Sequence, residues 1–206
     1  MRVAVIADKF QRQELEAQGL KDGLYIDWLE EIAAVENTEC YIDLLFTNTP
    51  GRVELLKQLQ PALIIINNVI AAEVPGNFVS INGWPGFLQR TIIEASCNDE
   101  TAKKTAAVVF NLLNRTTAWM PDTAGFIAAR VVSMIINEAY LTLEEGVSTK
   151  EEIDIAMKLG TNYPYGPFEW SNKIGLKHVA DLLSAMAATK KQYEPAALLK
   201  KEAGII

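Results

Sequence analysis

The chain has 206 residues, half of them apolar and 22% charged, with a formal net charge of -7 and a pI near 4.9. That length and composition suit one large or two small hydrophobic cores and argue against a chain dominated by disorder. The acidic balance has no clustered basic face to offset it: Lys103 with Lys104, Lys190 with Lys191 and Lys200 with Lys201 read as solvated helix faces, so no nucleic-acid partner is expected.

In chain order, Arg2 to Ala7 is a β-branched run apolar on both faces, the pattern of a buried parallel strand, and Gln11 to Gln18 follows with helical spacing. Residues 22 to 40 are ambiguous between strand and helix. Tyr41 to Phe46 reads as a strand, Arg52 to Leu59 as a helix and Ala62 to Ile66 as a strand, with shorter strands at Phe78 to Ile81 and Thr91 to Ala95. Alternating strands and helices predict an open parallel sheet. From Asp99 onward only helical spacing remains, beginning with Ala102 to Leu113.

Asp122 and Thr123 offer N-cap side chains to a long helix over Ala124 to Glu145, which Gly146 ends. Ser148 with Glu151, or Thr149 with Glu152, supplies a capping box for a helix to Lys158, with Gly160 as its stop. The two prolines and glycine of Tyr163 to Pro167 enforce a turn before Phe168 to Lys173, and helices at Gly175 to Thr189 and Pro195 to Glu202 close the chain. Cys40 and Cys97 are too few for a disulfide framework and lack metal-ligand spacing. The opening MRVAVIADK turns polar too early for a signal peptide or a membrane span, so a cytoplasmic protein with no membrane contact and no metal is expected.

Asp122-Thr-Ala-Gly-Phe-Ile127, Arg130, Asn137-Glu-Ala139, Glu144-Glu-Gly-Val147, Ile153-Asp154, Met157-Lys-Leu-Gly160 and Tyr163-Pro-Tyr-Gly-Pro-Phe-Glu169, in that order, resemble the C-terminal domain of 3-hydroxyacyl-CoA dehydrogenases. The resemblance implies a homodimer formed through this domain, one wall of an acyl-CoA cleft, and substrate-side positions at Arg130, Pro164, Gly166, Pro167 and Phe168. A turn and a buried aromatic would account for the last four equally well. The apolar stripe Ile127, Val131, Met134 and Ile135 fits a dimer seam or intrachain packing.

The first half resembles that family's nucleotide-binding domain in a shortened form. The resemblance implies NAD, a glycine-rich first turn and a catalytic histidine–glutamate pair. Ala7, Lys9 and Arg12 stand where the glycines belong, and Asp27 lies near the place of a ribose-binding acid or is a plain surface aspartate. Asn82 falls on the histidine and Glu94 on the glutamate; alternatively, Asn82-Gly83 is a turn and Glu94 an ordinary polar residue. Ala129 replaces an asparagine of the family, a substrate-contacting serine has no counterpart near Asn67-Asn68-Val69, and the sole histidine, His178, lies on a late helix.

The expected architecture is α/β then all-α: a truncated Rossmann-like parallel sheet over 1–120, then a helical domain over 121–206. Two functions compete. One is a degenerate family member binding an acyl-CoA or a protein partner with little or no NAD-dependent activity; the other is an active NAD-dependent 3-hydroxyacyl-CoA dehydrogenase of fatty-acid metabolism.

Overall fold

The computed structural model describes residues 1–205 and forms two compact units, Met1–Phe126 and the chain from Ile127 onward. The first contains strands β1 (Arg2–Ile6), β2 (Tyr25–Leu29), β3 (Cys40–Asp43), β4 (Leu63–Asn67), β5 (Val79–Ile81), β6 (Ile92–Ser96) and β7 (Thr116–Trp119). Helices α1 (Lys9–Glu16), α2 (Pro50–Lys57) and α3 (Glu100–Leu112) lie between them. The strands form one sheet in the order β2-β1-β3-β4-β5-β6-β7.

Period-two alternation explains the two-sided core. Val3, Val5, Ile42, Ile65 and Ile93 pack with Leu15 of α1 and with Ala106 and Phe110 of α3, whereas Ala4, Ile6, Tyr41, Ile64 and Ile66 pack with Leu56 of α2. Burying each such aliphatic side chain contributes roughly 1.5–3 kcal/mol, and burial on both faces is why these strands read as continuous apolar runs.

The sheet is not wholly parallel, because β5 and β6 pair antiparallel. The ten residues of loop 82–91 contain no helix, and a parallel return would need a longer crossover. Strand β7, too short and too polar to read from its own residues, pairs with β6 once α3 has provided such a crossover. The ambiguous 22–40 stretch holds the edge strand β2 and then irregular chain.

The second unit contains α4 (Ala128–Glu144), α5 (Lys150–Thr161), α6 (Pro167–Ile174), α7 (Leu176–Ala187) and α8 (Ala197–Glu202), with a single 3₁₀ turn at Lys191–Tyr193. The long helix starts later than its sequence suggests, and neither Asp122 nor Thr123 caps it: Gly125 and Phe126 have φ of 87° and 47°, and Ile127 is the N-cap residue without a side-chain bond. Asp122 instead accepts from the Ser96 hydroxyl at 3.1 Å, and the Gly125 N–H donates to the Val69 carbonyl at 2.7 Å. Helix α5 runs through Gly160 to Thr161 and stops at left-handed Asn162, its capping box being the Thr149–Glu152 pair.

Candidate functional site

The antiparallel β5–β6 register, Ile81 opposite Ala95, carries Asn82 directly across from Glu94. The Asn82 N–H donates to the Glu94 carbonyl at 3.1 Å, and the Asn82 side-chain Nδ2 donates to Glu94 Oε2 at 2.9 Å. Asn82 is 3% exposed, and its Oδ1 accepts from the Trp84 N–H at 3.4 Å. The adjacent Gly83 is required by close approach: its N–H donates to Asn67 Oδ1 at 2.9 Å, and a Cβ there would lie 2.8 Å from Asn67 Cγ. Asn67 Nδ2 in turn donates to the Leu44 carbonyl at 3.2 Å. A chain of amides thus links the ends of β3, β4 and β5. It offers hydrogen bonds but no group basic enough to take a proton near neutral pH.

The loop leaving Asn82 is tied down at three places. The buried Glu14 carboxylate accepts from the Gly86 N–H at 2.7 and 2.8 Å, Gln18 Nε2 donates to the Gln89 carbonyl at 2.7 Å, and the buried Arg115 guanidinium donates to the carbonyls of Leu88, Leu113 and Glu14. Burial pulls Arg115 down to about 10 from the usual arginine range. Farther along the loop, the Arg90 guanidinium stacks 4.3 Å from the centre of the Phe87 ring; desolvation lowers its pKa, against the opposing field of Glu94.

At the first β–α turn, Asp8 is the N-cap of α1. Its Oδ1 accepts from the Gln11 N–H at 2.7 Å, while Gln11 Oε1 accepts from the Asp8 N–H at 3.1 Å. Gln11 Nε2 crosses to the Leu44 carbonyl at 2.9 Å. Of the three residues expected in place of glycines, Ala7 donates its N–H to the Leu29 carbonyl, Lys9 is exposed, and Arg12 stacks 4.7 Å from the Trp28 ring while pairing with Glu16. Asp27 pairs with Arg2 at 2.6 Å and lies opposite Ala4, two residues short of the end of β2, so its carboxylate is engaged along the strand rather than beyond its C-terminal end.

In the helical unit, Asp154 of α5 accepts from the N–H groups of Phe168 and Glu169 at 2.8 and 3.2 Å, capping α6 from outside. Gly166 lies so close to it that a Cβ would overlap the Asp154 carboxylate. Pro167 opens α6, and Phe168 packs edge-on to Tyr140 with ring centres 5.1 Å apart. Pro164 is exposed, Arg130 lies 5.6 Å from the Tyr193 ring, Ala129 is buried, and the His178 Nδ1 is 2.9 Å from the Ile174 carbonyl.

The structure therefore brings Asn82 and Glu94 together, and separately gathers Gly166, Pro167 and Phe168 around Asp154. Sequence reasoning passed over Asp8 and Gln11, although their i, i+3 spacing is a capping-box signal. Glu14, Arg115 and the capping role of Asp154 carry no local signal, since each acts on a distant segment. One open concavity of about 570 Å³, lined by Glu39, Gln60, Asn77, Asp99 and Thr105, lies where the chain enters β3, β4 and β5, whereas Asn82 follows the last residue of β5. Among the described residues there is no cluster of three or more metal-ligating side chains, and no helix is long and apolar enough to cross a membrane.

Residues 125–203 match the family model described as 3-hydroxyacyl-CoA dehydrogenase, C-terminal domain. The chain is 31% identical to 3-hydroxyadipyl-CoA dehydrogenase of Escherichia coli (strain K12) over 90% of its own length, which is 41% of the length of that relative. It is 25% identical to the probable 3-hydroxybutyryl-CoA dehydrogenase of Bacillus subtilis (strain 168), covering 95% of this chain and 74% of that one. The crystal structure of (S)-3-hydroxybutyryl-CoA dehydrogenase from Ralstonia eutropha superposes with a TM-score of 0.74 over 98% of this chain and 93% of that chain, at 19% identity, a likeness of fold. The α/β unit has the Rossmann-like architecture, and residues 125–203 of the helical unit belong to the 3-hydroxyacyl-CoA dehydrogenase C-terminal domain family.

Proposed function

We propose that the protein is a recognition member of this family, binding an acyl-CoA thioester with little or no hydride-transfer activity. The observation that carries the reading is the Asn82–Glu94 pair: Asn82 stands at the position of the resemblance's histidine and bonds the carboxylate at 2.9 Å. A thioester carbonyl could be oriented by such amides, but a hydroxyl proton has no imidazole to go to, and loss of a positioned general base costs about 10²–10⁴-fold in rate. Arg130, Pro164, Gly166, Pro167 and Phe168 are the substrate-side positions implied by the resemblance, of which Gly166 and Phe168 are also committed to holding α6. NAD, also implied, fits the first β–α turn poorly, because Asp8 already caps α1.

An active dehydrogenase is the second reading. It is favoured by the retained Glu94, still aimed at position 82, and by the activities in the relatives' names. Calorimetric titration with acetoacetyl-CoA, with NADH consumption followed in the same samples, separates the two. Saturable thioester binding without consumption supports the recognition reading; acetoacetyl-CoA-dependent oxidation of NADH overturns it.

The proposal includes a homodimer through α4, on which Val131 is exposed next to the exposed N-cap residue Ile127, and a reducing compartment such as the cytoplasm, consistent with two free cysteines.

A further inference from the structure

We propose that the α/β unit takes no dinucleotide at its first β–α turn, because the Asp8 carboxylate occupies the anion position and Gln11 closes the crevice beside it. This deepens the recognition reading and rests on it; that a dinucleotide would come to this turn is what the family resemblance implies.

A pyrophosphate at a helix N-terminus is held by the unsatisfied N–H groups of the first turn and by the positive end of the helix dipole. In α1 the Asp8 side chain has taken the Gln11 N–H at 2.7 Å, and the Gln11 side chain has taken the Asp8 N–H at 3.1 Å. An incoming phosphate would therefore meet a carboxylate where it needs donors, and like charges at that separation repel. The backbone cannot be approached closely either, since Ala7 and Asp8, both bearing Cβ atoms, form the whole link between β1 and α1.

The neighbouring crevice is closed by the same side chain. The chain leaves β1 toward β2 on one side and β3 on the other, which makes the ends of β1 and β3 the place where an open α/β sheet accepts a ligand. Across that place the Leu44 N–H donates to the Ile6 carbonyl at 2.9 Å, and the Leu44 carbonyl accepts from Gln11 Nε2 at 2.9 Å and Asn67 Nδ2 at 3.2 Å. Of the two cations beside Asp8, Lys9 is exposed to solvent and Arg12 is stacked on Trp28 and paired with Glu16. The acid that would hold a ribose, Asp27, is bonded to Arg2.

The test is calorimetric titration of the full chain with NADH and, separately, with ADP-ribose, its fold verified by circular dichroism. No saturable heat with either, up to millimolar ligand, is the expected result. Saturable NADH binding that ADP-ribose competes away overturns the proposal, whether or not acetoacetyl-CoA then oxidises the NADH. NADH bound but not oxidised would end this inference and leave the thioester-recognition reading standing, so the two failures are distinguishable.

Discussion

Asn82 and Glu94 are joined twice, by main chain at 3.1 Å and by side chain at 2.9 Å, although Asn82 opens the ten-residue loop 82–91 and Glu94 lies in β6 beyond it. The side-chain bond needs one partner that donates and one that accepts.

Asn82→Asp removes the donor while keeping the shape. Two carboxylates within hydrogen-bond distance cannot both ionise readily, so the pair would hold a proton well above the usual carboxylate range. A carboxyl whose folded pKa is raised above its unfolded value of about 4 loses stability as pH rises through the raised value. The variant should therefore match the wild type below about pH 4 and fall behind it by about 1–3 kcal/mol at neutral pH. Urea denaturation at both pH values checks this, and a constant difference at all pH would show that the side-chain bond is not the cause.

Gly166 and Asp154 make a second such pair in the helical unit. The glycine permits the approach, and the carboxylate uses it to cap Phe168 and Glu169. Gly166→Ala should destabilise by about 2–4 kcal/mol, since the clash is with a side chain held by two hydrogen bonds. Asp154→Ala alone should cost about 1–2 kcal/mol through the lost cap. The double variant should cost less than the sum, because the clash and the cap involve one carboxylate. Strict additivity of the chemical-denaturation free energies would contradict the geometry.

How much of this was legible in the sequence follows from distance along the chain. The two-sided apolar runs of β1 and β4 announce a buried parallel sheet, and the ordered motif from Asp122 to Glu169 announces the helical unit, since both signals are local. Asn82 and Glu94 meet because a hairpin-like return keeps them close in sequence. The Asp8–Gln11 capping box is equally local, an i, i+3 pair that follows β1. Arg115 could not be found that way: its partners, Leu88 and the Glu14 carbonyl, are 27 and 101 residues distant. Strand β7 is defined by its neighbour rather than by its own Thr-Thr-Ala-Trp.

Glu202 connects the last helix to the rest of its unit, accepting from the Tyr140 hydroxyl at 2.7 Å and from Lys150 at 2.7 and 2.8 Å. Burial works to raise its pKa, but the bonds from Lys150 and Tyr140 and the charges of Lys150 and Lys201 hold the carboxyl below its usual range. A carboxyl with a depressed folded pKa contributes stability above its unfolded value of about 4.3 and loses it as pH falls through the folded value. Because the side chain is about a third exposed, the contribution is discounted to roughly 0.5–1 kcal/mol. Glu202→Gln should show that deficit at neutral pH and none in strong acid, read from thermal melts at the two pH values. A deficit that persists undiminished in acid would assign the effect to packing instead.

The proposed dimer is tested where exposure and hydrophobicity disagree. The α4 N-cap residue Ile127 and Val131 in its first turn are 61% and 48% exposed, while Met134 and Ile135, farther along the same stripe, are half-buried. A stable homodimer interface buries about 800 Å² or more per partner and concentrates its energy in a few central apolar side chains. Val131→Glu puts a charge into that seam, and because the residue is half-exposed in the single chain its cost to folding should stay near 0.5 kcal/mol. The expected outcome is a dimer for the wild type and a monomer with an unchanged circular dichroism spectrum for the variant, measured by sedimentation equilibrium. A wild type that sediments as a monomer at every concentration would remove α4 as a seam and leave its apolar stripe without a partner in a second copy of the chain.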